Sequence, residues 1–452
     1  MSELYNLGVA DAAKQIRDRS LSPVALANAL LERVDTLDPT LKAWVTIDRE
    51  EVLSAALERE LELDSSGPRG PLHGVAIGLK DIFYTAGMKT TACSRIYADF
   101  VPTYDATCVA KLKEAGAIIL GKAVTTEFAS GDPSPARNPW NLEHTPGGSS
   151  SGSSVAVATG MCSAALGSQT GGSTCRPAAY NGIVGLKPTY GRISRRGVVP
   201  LSWSLDTVGI LVRSVADGAV MLQAMAGHDP QDPGSSAEPV PDYFQQMADF
   251  NRPPRIGLVK EFFFDRSTSE IREHTEMVAQ KLVDAGATVQ EVGLPGSFAT
   301  AHDCQRVVSN VEAAAFHEEN YRTRAQEYGP KIRNSIAMGM LIPGVRYLQA
   351  QRLRRQFRLD MIGLVDKFDA ILTPAVTEPA PKDLTTTGDA VFQAPWTSAG
   401  LPTIAIPSGI STLGLPLAIQ LGGLPFEEGK LLGVAQWCES VLDTHIWPTN
   451  FQ

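Results

Sequence analysis

Short apolar runs alternate with helical patterns along much of the chain. The runs Val75–Leu79 and Ala117–Leu120 are almost purely apolar, which is typical of strands buried on both faces of a sheet. Between them, residues 105–115 favour a helix. This alternation predicts an α/β protein built on a mixed sheet.

Further helices and a second series of strands are predicted on either side of this region. Ser22 and Pro23 supply an N-cap and a first-turn proline for a helix that Asp38-Pro39 should end. The other predicted elements are helices over residues 50–63, 268–285 and 345–368, a linker over 64–71 and a strand at Ile256–Val259. Residues 228–255, rich in Pro, Asp and Ser, favour a long surface loop. This loop could divide two domains, or one sheet could be threaded by both halves of the chain.

The composition is that of a globular protein with a large core, since 43% of the 452 residues are apolar and 20% are charged. Lys and Arg number 40 against 49 Asp and Glu, which gives a net charge of −9. Such a chain offers no overall electrostatic footprint for nucleic acid or for an anionic membrane. Two basic runs, Arg192–Arg196 and Arg352–Arg358, are expected to be solvated faces.

Two long stretches, residues 145–175 and 390–426, carry no charged residue. The first is rich in Ser, Gly and Thr, and the second is interrupted by five prolines. Both suit buried strands and turns better than a continuous apolar helix, so neither is expected to span a membrane.

The cysteines and histidines show no pattern of a metal site. The six cysteines lie far apart without a CxxC pair, and the seven histidines are equally scattered. A zinc site and a disulfide framework are therefore not expected, and reduced thiols in a reducing compartment fit best. The N-terminal residues lack the basic and then apolar pattern of a signal peptide, so we expect a cytoplasmic protein.

Two loops rich in glycine and serine, at residues 146–154 and 167–173, stand out as candidate chemistry. Glycines let a backbone turn tightly and present consecutive N–H groups, which can hold an oxyanion. A serine at the end of such a loop is placed to attack a carbonyl group. The alternative is that these are loops without any chemistry.

Two familiar motifs come close to the sequence but fail in their context. Residues 148–152 fit the G-x-S-x-G nucleophile elbow, but that elbow must follow a strand, and a polar segment with two prolines precedes them. Residues 116–122 resemble a phosphate-binding P-loop, but Ala123 replaces the final Ser or Thr and the interior reads as a strand.

A serine nucleophile needs a base, and two residues are candidates. His144 lies close to the first loop but in a polar segment, where we expect a surface residue. Lys80 ends an apolar run, where burial would disfavour the charged ammonium and lower its pKa. Asp81 should point to the opposite face of the strand and need not hold the proton on Lys80.

Several of these segments, in their order along the chain, resemble the amidase signature family. The segments are Gly78–Asp81, Gly147–Ser154, Gly167–Pro177, Gly185–Arg192, Ser204–Gly209 and Ala399–Pro402. The resemblance covers nearly the whole chain, with a core signature over about residues 74–210. It implies one α/β domain over residues 1–452, with a central mixed sheet wrapped by helices.

The resemblance also implies a Ser–Ser–Lys triad that uses no metal and no cofactor. Carried onto this sequence, the nucleophile is Ser173, the bridging serine with a cis peptide is Ser149, and the base is Lys80. The implied oxyanion hole consists of the backbone N–H groups of Thr170, Gly171, Gly172 and Ser173.

The sequence departs from the family pattern near the nucleophile. Gln169 stands where the family often has Asp, and Cys175 stands where it often has Arg. Arginine follows one residue later, as Arg176, a position from which a subgroup acting on small acidic amides grips a substrate carboxylate. Arg176 could instead pair with a neighbouring acid. Cys175 is expected to be a packing residue rather than a rival nucleophile.

The implied activity is hydrolysis of the C–N bond of a carboxylic amide; carbamates, ureas and esters make similar demands. One alternative is the glutaminase-type subunit of a tRNA-dependent amidotransferase. The acidic net charge and the shifted position of the arginine are arguments against it. The other is a catalytically silent binding protein, against which the retained Lys80, Ser149 and Ser173 count. The expected partner is a small-molecule amide or carbamate, with no nucleic acid and no membrane; a homodimer stays open.

Overall fold

The strands of the described residues form a single sheet that combines parallel and antiparallel neighbours. The computed structural model describes residues 4–448 and 451. The strands of this part are β1 (Trp44–Thr46), β2 (Ala76–Lys80), β3 (Ile118–Ala123), β4 (Ala164–Gln169), β5 (Val184–Lys187), β6 (Thr207–Val212), β7 (Arg255–Leu258), β8 (Thr288–Glu291), β9 (Ala370–Pro374), β10 (Thr403–Ile410) and β11 (Pro416–Gly422). Their order across the sheet is β1-β3-β2-β4-β6-β5-β10-β11-β9-β7-β8. β2 runs parallel to both β3 and β4, whereas the central strands from β4 to β9 pair antiparallel.

Helices pack on this sheet and on one another. The α-helices of the described residues are α1 (Val9–Arg17), α2 (Pro23–Leu41), α3 (Arg49–Ser66), α4 (Thr107–Glu114), α5 (Ser151–Ala158), α6 (Cys175–Asn181), α7 (Val215–Met225), α8 (Tyr243–Asp249), α9 (Ser269–Asp284), α10 (Ala301–Arg324), α11 (Pro330–Leu341), α12 (Gly344–Val365), α13 (Ala394–Ala399) and α14 (Glu428–Leu442). α5 and α6 are short and entirely buried, and α6 packs on β5, β10 and β11. The two glycine-rich loops lead directly into these two helices.

The two halves of the chain share the sheet. β5, from the first half, pairs antiparallel with β10 from the second half, with Lys187 opposite Thr403. The 228–255 segment therefore does not divide two domains, because strands that follow it complete the sheet begun before it. The expected single α/β domain with a mixed sheet wrapped by helices is what the structure shows.

The predicted helices and strands agree with the structure to within a few residues, except at one proline. α2 continues through Pro39 to Leu41 instead of ending at Asp38-Pro39. Asp38 stabilises this extra turn, because its carboxylate accepts hydrogen bonds from the N–H groups of Ala43 and Trp44 just beyond the helix. Lys42 then ends the helix in a left-handed conformation.

The expected surface loop at residues 228–255 contains a helix, α8. Asp242 caps it by accepting a hydrogen bond from the N–H of Gln245. Tyr243 and Met247, four residues apart on one face, are buried against the core. One pair of apolar residues at helical spacing is too short a pattern to predict a helix in a segment that is rich in proline.

The basic runs are not solvated faces throughout. Arg192 is 2% exposed, and its guanidinium donates to the carbonyl oxygens of Glu238 and Pro239. In the second run, Arg354 donates to the carbonyls of Ser204 and Ser398. Both arginines hold backbone carbonyls of distant segments, a use that sequence spacing does not reveal. Among the described helices, none is long and apolar enough to cross a membrane.

Candidate active site

Lys80 lies at the end of β2, where the sheet meets the two glycine-rich loops. Its side chain is completely buried between neighbouring strands. Nζ donates a 2.6 Å hydrogen bond to Ser149 Oγ and a 2.8 Å hydrogen bond to Ser168 Oγ. Lys80 and Ser149, 69 residues apart in sequence, are thus brought into direct contact.

Burial changes the acidity of this lysine. Desolvation of the charged ammonium lowers the pKa of Lys80 to about 7, although Asp206 and Cys93 act in the opposite direction. Asp81, the next residue, turns away as expected: its carboxylate accepts hydrogen bonds from the backbone N–H of Thr91 at 3.1 Å. A large fraction of Lys80 is therefore neutral near pH 7 and able to accept a proton.

Ser149 belongs to the loop that precedes α5. Its peptide bond to Gly148 is cis, and its carbonyl accepts a 3.2 Å hydrogen bond from the N–H of Thr126. The two glycine-rich loops are joined next to it, because the N–H of Ser150 donates to the carbonyl of Ser173 at 3.3 Å. No hydrogen bond links Ser149 Oγ to Ser173 Oγ within the described residues.

The loop from Thr170 to Ser173, which we name the 170–173 loop, directs its carbonyls into the protein. Each of its four carbonyl oxygens accepts a hydrogen bond. The donors, in order, are Gln305 Nε2 at 3.1 Å, Thr397 Oγ1 at 2.8 Å, the N–H of Arg176 at 3.0 Å and the N–H of Ser150 at 3.3 Å. In the described part of the chain, the N–H groups of Gly171, Gly172 and Ser173 have no acceptor. The loop is therefore fixed by its carbonyls, with N–H groups left for another partner.

Gln169 holds the start of α6 against this loop. Its Oε1 accepts hydrogen bonds from the N–H groups of Thr174 and Cys175, both at 3.0 Å. Its Nε2 donates to Thr397 Oγ1 at 3.1 Å, a contact that a carboxylate could not make. The residue that departs from the family pattern thus connects the loop to α13.

Arg176 has protein partners at both terminal nitrogens. Nη2 donates to the carbonyl of Gly148 at 2.5 Å and to Thr387 Oγ1 at 3.1 Å, and Nη1 donates to the carbonyl of Gly388 at 2.8 Å. The side chain is buried and forms no ion pair with an acid among the described residues. Of the two possibilities left open for Arg176, the pairing with a neighbouring acid is absent here, because backbone carbonyls and a hydroxyl take that place.

The competing candidates lie in settings that do not favour chemistry. Cys175 is fully buried, its Sγ contacts the carbonyl of Gly185, and burial raises its pKa. His144 is not the expected surface residue: it is 7% exposed and contacts the carbonyl of Ala380 through Nδ1 at 2.6 Å. Lys122, in the P-loop-like segment, lies buried in β3 as expected of a strand.

Several residues that the sequence gives no role contact the site. Ser168 is the second partner of Lys80, Thr397 and Gln305 anchor the 170–173 loop, and Thr387 contacts Arg176. Ser168 lies inside a segment that carries the family resemblance, which is a signal that could have found it. Thr387, in contrast, is 211 residues from Arg176, and the sequence around it contains no motif that predicts the contact.

Known proteins are similar to this chain over nearly its whole length. The sequence model of the amidase family matches residues 25–432. The chain is 38% identical to a subunit of the glutamyl-tRNA(Gln) amidotransferase of Geobacter metallireducens, over 98% of this chain and 99% of that protein.

Two solved structures are similar over nearly their full length. The native peptide amidase of Stenotrophomonas maltophilia is 32% identical, with a TM-score of 0.88 and 99% of each chain covered. The corresponding glutamyl-tRNA(Gln) amidotransferase subunit of Thermotoga maritima is 30% identical, with a TM-score of 0.80 over 97% of this chain and 96% of that one. The chain therefore belongs to the amidase signature family of amide-acting enzymes.

Proposed function

We propose that this protein cleaves the C–N bond of a carboxamide through an acyl-enzyme on Ser173. The observation that carries the proposal is the 2.6 Å contact between Lys80 Nζ and Ser149 Oγ in a fully buried setting. A lysine whose pKa is lowered to about 7 is a base suited to neutral pH. The Ser149 hydroxyl is then the group through which the base acts on the nucleophile.

The steps follow from this arrangement. Neutral Lys80 accepts the proton of Ser149, Ser149 accepts the proton of Ser173, and Ser173 Oγ attacks the substrate carbonyl carbon. Ser149 then returns a proton to the departing nitrogen as the C–N bond breaks. Water then attacks the ester carbon of the acyl-enzyme while Ser149 and Lys80 take up its proton. The proton returns to Ser173 as the ester bond breaks and the carboxylic acid is released. The relay requires Ser149 Oγ and Ser173 Oγ to come into contact when substrate binds, as catalytic hydrogen bonds commonly tighten in the bound complex.

The 170–173 loop would stabilise the negative charge that develops on the substrate oxygen. Its N–H groups at Gly171, Gly172 and Ser173 have no acceptor in the described structure, and its carbonyls are held from behind. Donors fixed in advance need no reorganisation at the moment of reaction, and each is typically worth about 10²–10³ in rate. We include Thr170 N–H in this oxyanion hole on the family resemblance.

The side chain of Arg176 bears on the choice of substrate. Three of its five N–H groups are used on Gly148, Thr387 and Gly388, and among the described residues the buried Nε has no partner, so the protein already takes most of this guanidinium. We therefore propose that Arg176 positions the loop before Ser149 and that the acyl group of the substrate is uncharged near this residue. Carbamates and esters with uncharged acyl groups remain within this substrate class.

A second candidate function is the glutaminase-type subunit of an amidotransferase. The observation that favours it is the full-length identity of 38% to a subunit of such an enzyme. A subunit of this kind would use the same acyl-enzyme chemistry but act with partner chains. The distinguishing assay compares glutamine with a panel of amides, carbamates and esters on the isolated chain; substantial turnover of the panel but not of glutamine favours a free-standing amidase.

Covalent labelling tests the shared chemistry. A fluorophosphonate should label the wild type at Ser173, found by mass spectrometry of the modified peptide, and Ser173→Ala should abolish labelling. Ser151→Ala is the matched control, because its hydroxyl donates to the Gly147 carbonyl and, among the described residues, forms no hydrogen bond with Lys80 or Ser173. Modification of Ser150 or Cys175 instead would refute the assignment, and complete absence of labelling would favour a silent binding protein.

A further inference from the structure

A pocket of about 240 Å³ lies beside α12 and is rich in arginine. Arg354, Arg355 and Arg358 line it together with Tyr190 and the last residues of α13. We call it the arginine pocket. It contains none of the residues proposed for the amide-cleaving chemistry.

The three arginines differ in how many of their N–H groups the protein uses. Arg354 is fully engaged, with Nε donating to the Ser398 carbonyl at 2.7 Å and Nη2 to the Ser204 carbonyl at 2.6 Å. Arg358 uses Nη1 alone, on the Ala399 carbonyl, and Arg355 is exposed. Within the described residues, Nε and Nη2 of Arg358 and the whole guanidinium of Arg355 make no hydrogen bond.

The protein balances the positive charge of the pocket only in part. None of the three arginines forms an ion pair among the described residues. Glu312 faces Arg354, and its buried carboxylate, which also accepts from Ser202, Ser204 and Tyr347, offsets the charge of that arginine. Arg355 and Arg358 have no such acid among the described residues. Arg354 and Arg358 also lie one helical turn apart, where like charges destabilise a helix. A half-enclosed cluster of this kind costs free energy that a bound anion would offset.

We propose that the arginine pocket binds the oxyanion group of a small molecule, a phosphate or a carboxylate, between Arg355 and the open side of Arg358. The guanidinium fork offers paired N–H groups in the geometry that both oxyanions accept. The volume is several times the roughly 30 Å³ that one water occupies in the liquid, which leaves room for a head group and a few attached atoms. A nucleic acid is disfavoured, since a backbone needs a track of cations and this chain carries a net charge of −9.

The pocket shares a helix with the proposed active site. Ser398 and Ala399, at the end of α13, hold Arg354 and Arg358 through their carbonyls. Thr397, on the same helix, donates to the Gly171 carbonyl of the 170–173 loop at 2.8 Å. A ligand in the arginine pocket therefore contacts an element that also anchors that loop.

The test measures binding of inorganic phosphate, glycerol 3-phosphate and succinate by calorimetry and by the shift in melting temperature. Sodium chloride at matched ionic strength corrects for general screening. The phosphate and carboxylate arms identify which oxyanion the pocket prefers. We expect saturable binding of at least one of them, reduced about ten- to a hundredfold in Arg355→Gln and in Arg358→Gln.

Arg352→Gln is the matched control, because Arg352 is exposed on the same helix, outside the pocket, and its replacement makes the same change in net charge. It should bind like the wild type. Arg358→Lys keeps the charge but loses the fork, and should bind more weakly than the wild type while folding normally. Lack of saturable binding for all three compounds, or equal weakening in Arg352→Gln and Arg355→Gln, would overturn the proposal.

Discussion

The guanidinium of Arg176 donates a 2.5 Å hydrogen bond to the carbonyl oxygen of Gly148, the residue immediately before Ser149. The same side chain reaches the carbonyl of Gly388, more than two hundred residues further along the chain. Arg176 therefore ties the loop of the bridging serine to a segment from the second half of the sequence. This contact supports the positioning role that we propose for the arginine, which its place in the motif alone does not suggest.

Replacing Arg176 with Gln should lower kcat for charged and uncharged substrates alike. The loop before Ser149 loses a donor, and leaving a buried carbonyl without its partner costs about 1–3 kcal/mol. The measurement compares a half-amide of a dicarboxylic acid with its methyl ester. Arg213→Gln is the control, because Arg213 also donates to buried backbone carbonyls, those of Val157 and Cys162. It should cost stability but not rate, and a loss confined to the charged half-amide would instead indicate a carboxylate clamp at Arg176.

The rate should rise with pH up to about 7 and then level off. Lys80 acts as a base in its neutral form, which is populated above its pKa of about 7, so kcat/KM should fall roughly tenfold for each pH unit below it. Lys80→Met should remove most of the activity. The control is Lys187→Met: burial also lowers the pKa of Lys187 to about 7, but its Nζ donates to the Pro188 carbonyl rather than to a serine. If the rise of the rate with pH shifted or disappeared in the Lys187 variant, the titrating group would be Lys187 and not Lys80.

Removing the hydroxyl of Ser168, the second hydrogen-bond partner of Lys80, should shift the acidic limb of the pH–rate profile, which is the pH range over which the rate rises. Ser168 Oγ accepts a hydrogen bond from the ammonium at 2.8 Å and so favours its charged form. Ser168→Ala should therefore lower the apparent pKa of the base and shift the pH–rate limb toward acid. Ser153→Ala serves as control, since this hydroxyl is also buried but donates to the Leu166 carbonyl. An unchanged limb in Ser168→Ala would mean that Ser168 does not interact with the base in solution.

Thr397→Val should affect the rate more than substrate binding. Thr397 Oγ1 holds the Gly171 carbonyl at 2.8 Å, and without it the N–H groups of the 170–173 loop lose their fixed direction. A small misplacement of catalytic donors can cost up to about 10²-fold, so kcat should fall while KM changes little. Thr275→Val, which loses a buried hydroxyl bonded within α9, controls for stability. A raised KM with unchanged kcat would argue against a role of Thr397 in holding the loop.

Sequence patterns predicted the parts of the fold that depend on local apolar periodicity. β2, β3 and α9 lie close to their expected bounds, because β2 and β3 are runs of mostly buried residues and α9 buries one face at helical spacing. The helix inside residues 228–255 was outside the reach of such patterns, since it buries Tyr243 and Met247 with little further support.

The candidate site divides in the same way. Lys80, Ser149 and Ser173 lie in segments whose residue types point to acyl transfer, and the family resemblance assigned their roles. Arg176 and Gln169 each have partners nearby in sequence, but their remaining partners come from residues 387–397, and sequence spacing cannot predict a contact across two hundred residues. Whether a charged side chain meets a substrate or a backbone carbonyl depends on those distant segments.

The pairing of β5 with β10 sets a timing constraint on synthesis. β5 cannot complete its pairing until its partner strand has been synthesised, and that strand begins at Thr403, roughly two hundred residues after Lys187. At about 5–20 residues per second, the ribosome needs roughly 10–40 s to deliver it. During that interval the nascent chain already contains Lys80, Ser149 and Ser173, but the edge of β5 that later pairs with β10 stays open to wrong pairing. Protection of the growing chain by a chaperone is thus of most value between the emergence of these two strands.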